Sequence, residues 1–196
     1  MLSSLEAPWR EVLLLGWEAY EAGTIPVGAV VVDETGAVVA RGRNRIFDGA
    51  FDGQLAGSRL AHAEVNALSQ LPASGTYEAL TLYSLLEPCH LCMGAAHAVR
   101  IGIVRYAAAD PWGGAAGRLV PSEDHRFHPL AVEGPLEHEL AGIGELLLVA
   151  HFLWRVPDSN VASFYRRTRP ELVEAAQALP APGSGRRLED ALSGFH

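Results

Sequence analysis

The sequence predicts an α/β fold on three observations: apolar residues at helical spacing, β-branched runs bounded by turn residues, and an alternation of the two through the middle of the chain. Leu5, Trp9, Val12, Leu13, Trp17 and Tyr20 recur at helical intervals, and Pro8 stands where a missing N–H is harmless. The first helix is therefore expected from Pro8 to Ala22. Ile25 to Val32 is nearly continuous and rich in valine, Asp33-Glu34-Thr35-Gly36 has turn chemistry, and a second run passes through Val38, Val39 and Ala40. This pattern predicts a β-hairpin with its first strand buried.

The segment from Asn44 to Leu60 is rich in Gly and Asp, with isolated Phe47 and Phe51, and reads as a loop. Helical periodicity resumes from Ala61 to Leu71. Leu80 to Leu85 is a buried strand, Pro88 opens a helix running to about Val99, and Ile101 to Ala107 is another strand. That order implies a right-handed crossover and a parallel pair. Asp110 to Pro129 is loop-like, Leu130-Ala131-Val132 a short strand, and Pro135 to Arg155 carries apolar residues at helical intervals. One or two helices follow, through Leu179. Pro180-Ala181-Pro182-Gly183-Ser184-Gly185 then breaks the pattern, so residues 1–179 are expected as one domain and 180–196 as a flexible tail.

With 196 residues, 49 % hydrophobic and 19 % charged, the chain can close a single core and is too apolar to stay disordered. Met1 to Glu6 holds neither a basic leader nor an uninterrupted apolar segment, and the late apolar run Leu146 to Ala150 is bracketed by Glu145, His151 and Arg155. No signal peptide or membrane span is expected, and the cytoplasm is the expected location. A net charge of −8 gives no general attraction to nucleic acid. All 15 basic residues are arginines. Arg41, Arg43 and Arg45, or Arg166, Arg167 and Arg169, are the groups able to grip phosphate, against the ordinary role of a solvated charged face. The two cysteines are separated by two residues, which excludes a disulfide framework and leaves metal binding or redox exchange.

Those cysteines lie in Pro88-Cys89-His90-Leu91-Cys92 at the start of one expected helix, and His62-Ala63-Glu64 opens the one before it. Cysteines three apart in a first turn share a face, and a helix N-terminus favours the thiolates that bind metal. His62, Cys89 and Cys92 then make a Cys₂His set, whose open fourth position distinguishes a catalytic zinc site from a closed structural one. Two thiolates and a neutral imidazole leave the metal formally uncharged and a mild Lewis acid, so a base beside its water becomes valuable. Glu64, two residues past His62, is poorly placed as a ligand and well placed as that base. A redox pair or a structural zinc module would leave His62, Glu64 and Pro88 unexplained.

H-x-E followed by P-C-x-x-C is the signature of zinc nucleobase deaminases. The chain resembles the cytidine deaminase superfamily, most closely the branch of tRNA adenosine, guanine and nucleoside deaminases. The likeness covers about Pro8 to Gly117 and continues more weakly to Arg155, through Pro26-Val27-Gly28-Ala29-Val30, Gly42-Arg43-Asn44, His62-Ala63-Glu64, Leu82-Tyr83 leading into Glu87-Pro88-Cys89, Gly94-Ala95, Arg100-Ile101 and Gly113 to Gly117. It implies a three-layer α/β/α sandwich with a mixed sheet, the zinc site where two helix N-termini meet, and a homodimer. By the same likeness Asn44 contacts substrate through its amide, the backbone N–H of Ala63 faces it, and Val27 and Glu87 shape the pocket. Trp112, in Asp110-Pro111-Trp112-Gly113-Gly114, is a candidate to stack on a purine, or else a packed or dimer-buried aromatic. His90 points away from the cysteine face, and His125 and His128 fall near loop positions that approach the pocket.

The expected activity is zinc-dependent hydrolytic deamination of a free nucleobase or nucleoside, releasing ammonia. Adenosine-to-inosine deamination of tRNA is the alternative, and net charge −8 weighs against it. Two departures from the branch bear on this choice. The loop from Asn44 to His62 is longer than in the tRNA enzymes, and no basic C-terminal helix is evident, because Val156-Pro157-Asp158 ends the helix at Arg155. Arg166-Arg167-Thr168-Arg169 is the available substitute.

Overall fold

The computed structural model describes residues 4–118 and 129–193. The first helix, α1, spans Ala7–Glu21 and is followed by strands β1, Gly28–Val32, and β2, Val38–Arg43. Next come α2, Ala63–Leu68; β3, Thr81–Leu86; α3, His90–Val99; β4, Ile103–Ala108; and β5, Ala131–Glu133. Helices α4, Glu139–Arg155; α5, Asn160–Thr168; α6, Pro170–Ala178; and α7, Leu188–Ala191, complete the chain. The expected α/β class, the hairpin and the parallel pair are all present, with element ends displaced by only a few residues.

The five strands form one mixed sheet in the order β2-β1-β3-β4-β5. β1 is antiparallel to both β2 and β3, whereas β3, β4 and β5 run parallel. All five residues of β1 are buried, as a central strand covered on both faces requires, and short β5 forms the far edge. α1 and α4 cover one face with Trp9, Val12, Leu13, Leu140 and Leu147, while α2 and α3 cover the other with Ala63, Ala67, Met93 and Ala96. Each large side chain fully removed from water in these layers contributes roughly 1.5–3 kcal/mol.

Two glycines set how closely the helices approach. A Cβ on Gly28 would run into the Val12 carbonyl of α1, and one on Gly42 into the Ala63 carbonyl of α2. Backbone therefore packs on backbone at both places, which seats the start of α2 directly over the hairpin.

The C-terminal segment lies against α1. Residues 180–193 are docked rather than loose: Leu188, Ala191 and Leu192 are buried, Trp17 Nε1 donates to the Arg186 carbonyl at 3.0 Å, and the Tyr20 hydroxyl donates to that of Pro180 at 2.9 Å. Pro and Gly break the helix there, but the apolar face of α1 still needs a cover, and the returning chain supplies it.

Candidate active site

The metal-ligand candidates are placed by helix starts. His62 is the N-cap of α2 and Cys89 that of α3, both in extended backbone, and Cys92 follows in the first turn of α3. The His62 Nδ1 lies 3.5 Å from Cys89 Sγ and 3.4 Å from Cys92 Sγ, and the two sulfurs are 3.6 Å apart. Tetrahedral zinc with its usual bond lengths sets N–S and S–S edges of about 3.6 and 3.8 Å. The three donors thus fit one ion, and among the described residues they are the group able to hold a metal. Hydrogen bonds from Cys92 and His62 hold the Cys89 thiol down to about 3, and its bond to Cys89 together with burial pushes the Cys92 thiol up. The bond to Cys89 raises the His62 pKa, and the ring also bonds to the Arg59 backbone. A divalent cation held there would take the place of the shared protons.

Glu64 is 4 % exposed and sits against this group. Ser84 Oγ donates to its Oε1 at 3.1 Å, and the Cys92 sulfur is 3.2 Å from its Oε2. Burial raises its pKa above the usual carboxylate range. Ser84 escaped the sequence reading although a signal was present: on the face of β3 that carries buried Leu82 and Leu86, it alone is polar.

Above the donors lies a cavity of about 230 Å³, below the 300–1,000 Å³ range of drug-sized sites and suited to a single ring system. Val27, Asn44, His62, Glu64, Glu87, Cys89 and Trp112 all line it, so most of the expected site residues converge. Ala63 and Cys92 are the exceptions: both are wholly buried and outside the cavity wall, which leaves Cys92 to the metal and only the N–H of Ala63 for a substrate contact. Glu87 lines the cavity while its carboxylate accepts from Asp110 N–H at 3.3 Å and Ala116 N–H at 3.1 Å, binding the loop after β4 to the cysteine turn. A bridge between Cys89 and Gly114 makes the same connection.

Trp112 is 48 % exposed and packs edge-on against Phe164 of α5, at a centroid distance of 5.8 Å. It forms the rim of the cavity. Leu148 and Phe152 of α4 and Val161 of α5 also line it, and nothing in their local sequence distinguishes them from ordinary core residues. His90 is exposed, as expected from its place on the helix, whereas His125 and His128 lie outside the described residues.

Comparison with known proteins agrees with this geometry. Over 140 residues the chain is 35 % identical to the tRNA-specific adenosine deaminase of Bacillus subtilis, covering 68 % of this chain and 82 % of that protein. It is 42 % identical over 116 residues to the tRNA(Ile)-lysidine synthase of Deinococcus radiodurans, covering 58 % of this chain but only 19 % of that one. A solved tRNA:A34 deaminase superposes with a TM-score of 0.53 at 29 % identity, over 65 % of this chain and 96 % of its own. The family model for the cytidine and deoxycytidylate deaminase zinc-binding region matches residues 3–108, the span that holds the hairpin, both helix starts and all three donors. With that match and this constellation of His62, Glu64, Cys89 and Cys92, the chain belongs to the cytidine and deoxycytidylate deaminase zinc-binding family.

Proposed function

We propose that the chain is a zinc-dependent hydrolytic deaminase that converts adenosine to inosine in tRNA. The placement of Glu64 carries the chemistry: a buried carboxylate beside three converging donors, at the floor of a cavity sized for one base. Zinc held by His62, Cys89 and Cys92 would supply a Lewis acid that makes water a better nucleophile. Glu64 is placed to accept a proton from the attacking water as the water oxygen adds to the ring carbon bearing the amine. The same carboxyl would pass that proton to the ring nitrogen, then take the remaining proton from the new hydroxyl and give it to the amine, so the carbon–nitrogen bond breaks, the carbon–oxygen bond becomes a carbonyl and ammonia leaves. A raised pKa suits a group that must hold a proton between the two transfers. Asn44 and Val27 orient the base, and Trp112 closes over it at the rim.

The choice of tRNA is supported by likeness to a relative named as a tRNA-specific adenosine deaminase, 82 % of which is covered. Net charge −8 shapes the long-range field and slows encounter with a polyanion, but it does not reach contacts inside the cavity. That charge, together with closure of the cavity by Phe152, Val161 and Trp112, favours a second reading, deamination of a free purine base or nucleoside. A homodimer is proposed as the working form, because exposed Leu60 and Leu91 stand beside the metal ligands in sequence.

Ammonia release and inosine formation should be measured on tRNA transcripts carrying adenosine at the wobble position, and on free adenosine, guanine, adenine and cytidine. Turnover is expected on the transcripts. Ammonia from a free base or nucleoside, with none from tRNA, hands the function to the second reading.

A further inference from the structure

Thr24 and Asn44 form a buried side-chain pair that the chemistry above does not use. Thr24 is wholly buried and Asn44 is 2 % exposed. The Thr24 Oγ1 lies 2.6 Å from Asn44 Oδ1, and Ile46 N–H reaches the same oxygen at 3.1 Å. A backbone N–H can only donate, so the amide atom facing Ile46 is the oxygen, and the threonine hydroxyl that meets this oxygen must donate to it as well. The backbone pins both partners: Thr24 N–H donates to the Ala19 carbonyl at 3.0 Å where α1 ends, and Asn44 N–H donates to the Val27 carbonyl at 2.9 Å.

Two donors on the oxygen orient the whole amide. Among the described residues no acceptor is paired with Nδ2, and Asn44 lines the cavity beside His62 and Glu64. We infer that Thr24 is a positioning residue for the reaction: its hydroxyl locks the Asn44 amide with its NH₂ toward the cavity, so the site presents a fixed donor and selects substrates that offer an acceptor there, a ring nitrogen or a ribose oxygen. Without the hydroxyl the amide keeps only Ile46 as an anchor and can turn its oxygen inward, where it meets the substrate's acceptor with repulsion. The inference rests on the proposed deaminase reading, in which Asn44 touches the substrate.

Two double-mutant cycles with Thr24→Val and Asn44→Ala on zinc-loaded protein test it. The first follows kcat/KM on whichever of wobble-adenosine tRNA, adenosine or guanine the wild type turns over fastest. Thr24→Val should lower kcat/KM about tenfold, mostly through KM, as expected for one lost buried hydrogen bond. Thr24→Ser should restore it. In the Asn44→Ala background Thr24→Val should do nothing further, because it acts only through the amide. Asn44→Asp should be no better than Asn44→Ala, since a carboxylate has no proton to donate.

A Thr24→Val variant within about twofold of wild type, or one that loses as much with Asn44 as without it, overturns the inference. The second cycle follows urea unfolding, where the joint loss should be smaller than the sum of the single losses; additive losses show that the pair is not formed. A wild type that deaminates none of the three substrates overturns the proposed function instead, and the unfolding cycle then decides the pairing by itself.

Discussion

At the level of single residues, the site separates groups that hold the metal from groups that handle protons. Cys89 and Cys92 converge with His62 at distances that one tetrahedral ion would span, and Glu64 stands beside them with Ser84 donating to one of its oxygens. Glu64→Gln should keep about one zinc per chain and lower kcat by roughly 10²–10⁴-fold, the usual contribution of a positioned acid–base group. Cys89→Ala should lose the zinc as well as the activity. Ser84→Ala should keep zinc and lower kcat by about tenfold, since one hydrogen bond to a charged carboxylate is removed from a buried site. Metal analysis beside steady-state kinetics reads all three, and normal turnover by Glu64→Gln would sink the proton role. The sequence marks His62, Glu64, Cys89 and Cys92 plainly, because ligand chemistry tolerates few residue types and the spacing follows helix geometry. Ser84 and Thr24 are harder to see, because serine and threonine have many ordinary roles and only burial against a partner reveals these two.

At the level of elements, the long loop between β2 and α2 is ordered by its own arginine. Arg45 N–H donates to the Ala61 carbonyl, its carbonyl accepts from Gly57, and its guanidinium bonds to Asp48 and Gln54 and lies 3.5 Å over the Phe51 ring. α4 holds the other side: Arg155 lies 3.7 Å over Phe47, and His151 stacks on the same ring at 6.4 Å. Glycine and aspartate identify this stretch as loop, but what it packs against is a tertiary fact that no local pattern carries. His151 gives the packing a pH signature. It is 2 % exposed, its Nδ1 has no hydrogen-bond partner among the described residues, and burial with help from Arg155 lowers its pKa to about 4. The unfolded chain, with an ordinary histidine near 6.5, therefore binds a proton that the folded chain refuses. This contribution to stability is complete above pH 6.5 and is lost as pH falls toward 4, by on the order of 3 kcal/mol. Urea unfolding between those limits should show the loss, and His151→Phe should flatten it; an unchanged slope in the variant would assign the loss to other groups.

Across the whole molecule, the most legible features are those fixed by short-range pattern: the helix-strand alternation, the hairpin and the parallel pair. Two others depend on chain segments far apart in sequence. The C-terminal residues 180–193 cover α1, and the cavity wall closes only when Leu148, Phe152 and Val161 meet a site built much earlier in the chain. Net charge is the one global property that composition states outright, and it bears directly on the choice of substrate. A polyanion bound through its phosphates releases counterions, so its apparent affinity falls linearly in log salt with a slope of about −0.9 per duplex phosphate contact. Even two such contacts amount to about a tenfold loss in kcat/KM between roughly 50 and 200 mM salt. Of the 15 arginines, Arg43, Arg45, Arg105 and Arg169 are already paired with carboxylates, whereas exposed Arg166 and Arg167 lie on α5, the helix that contributes Val161 to the cavity. The tRNA reaction should therefore fall at least about tenfold over that range, while any turnover of free adenosine stays flat because a neutral nucleoside releases no counterions. Arg166→Gln with Arg167→Gln should make the tRNA slope shallower and leave the nucleoside unchanged. A tRNA reaction as indifferent to salt as the nucleoside would mean that no phosphate is held, and the free base or nucleoside would then be the substrate for which this cavity is built.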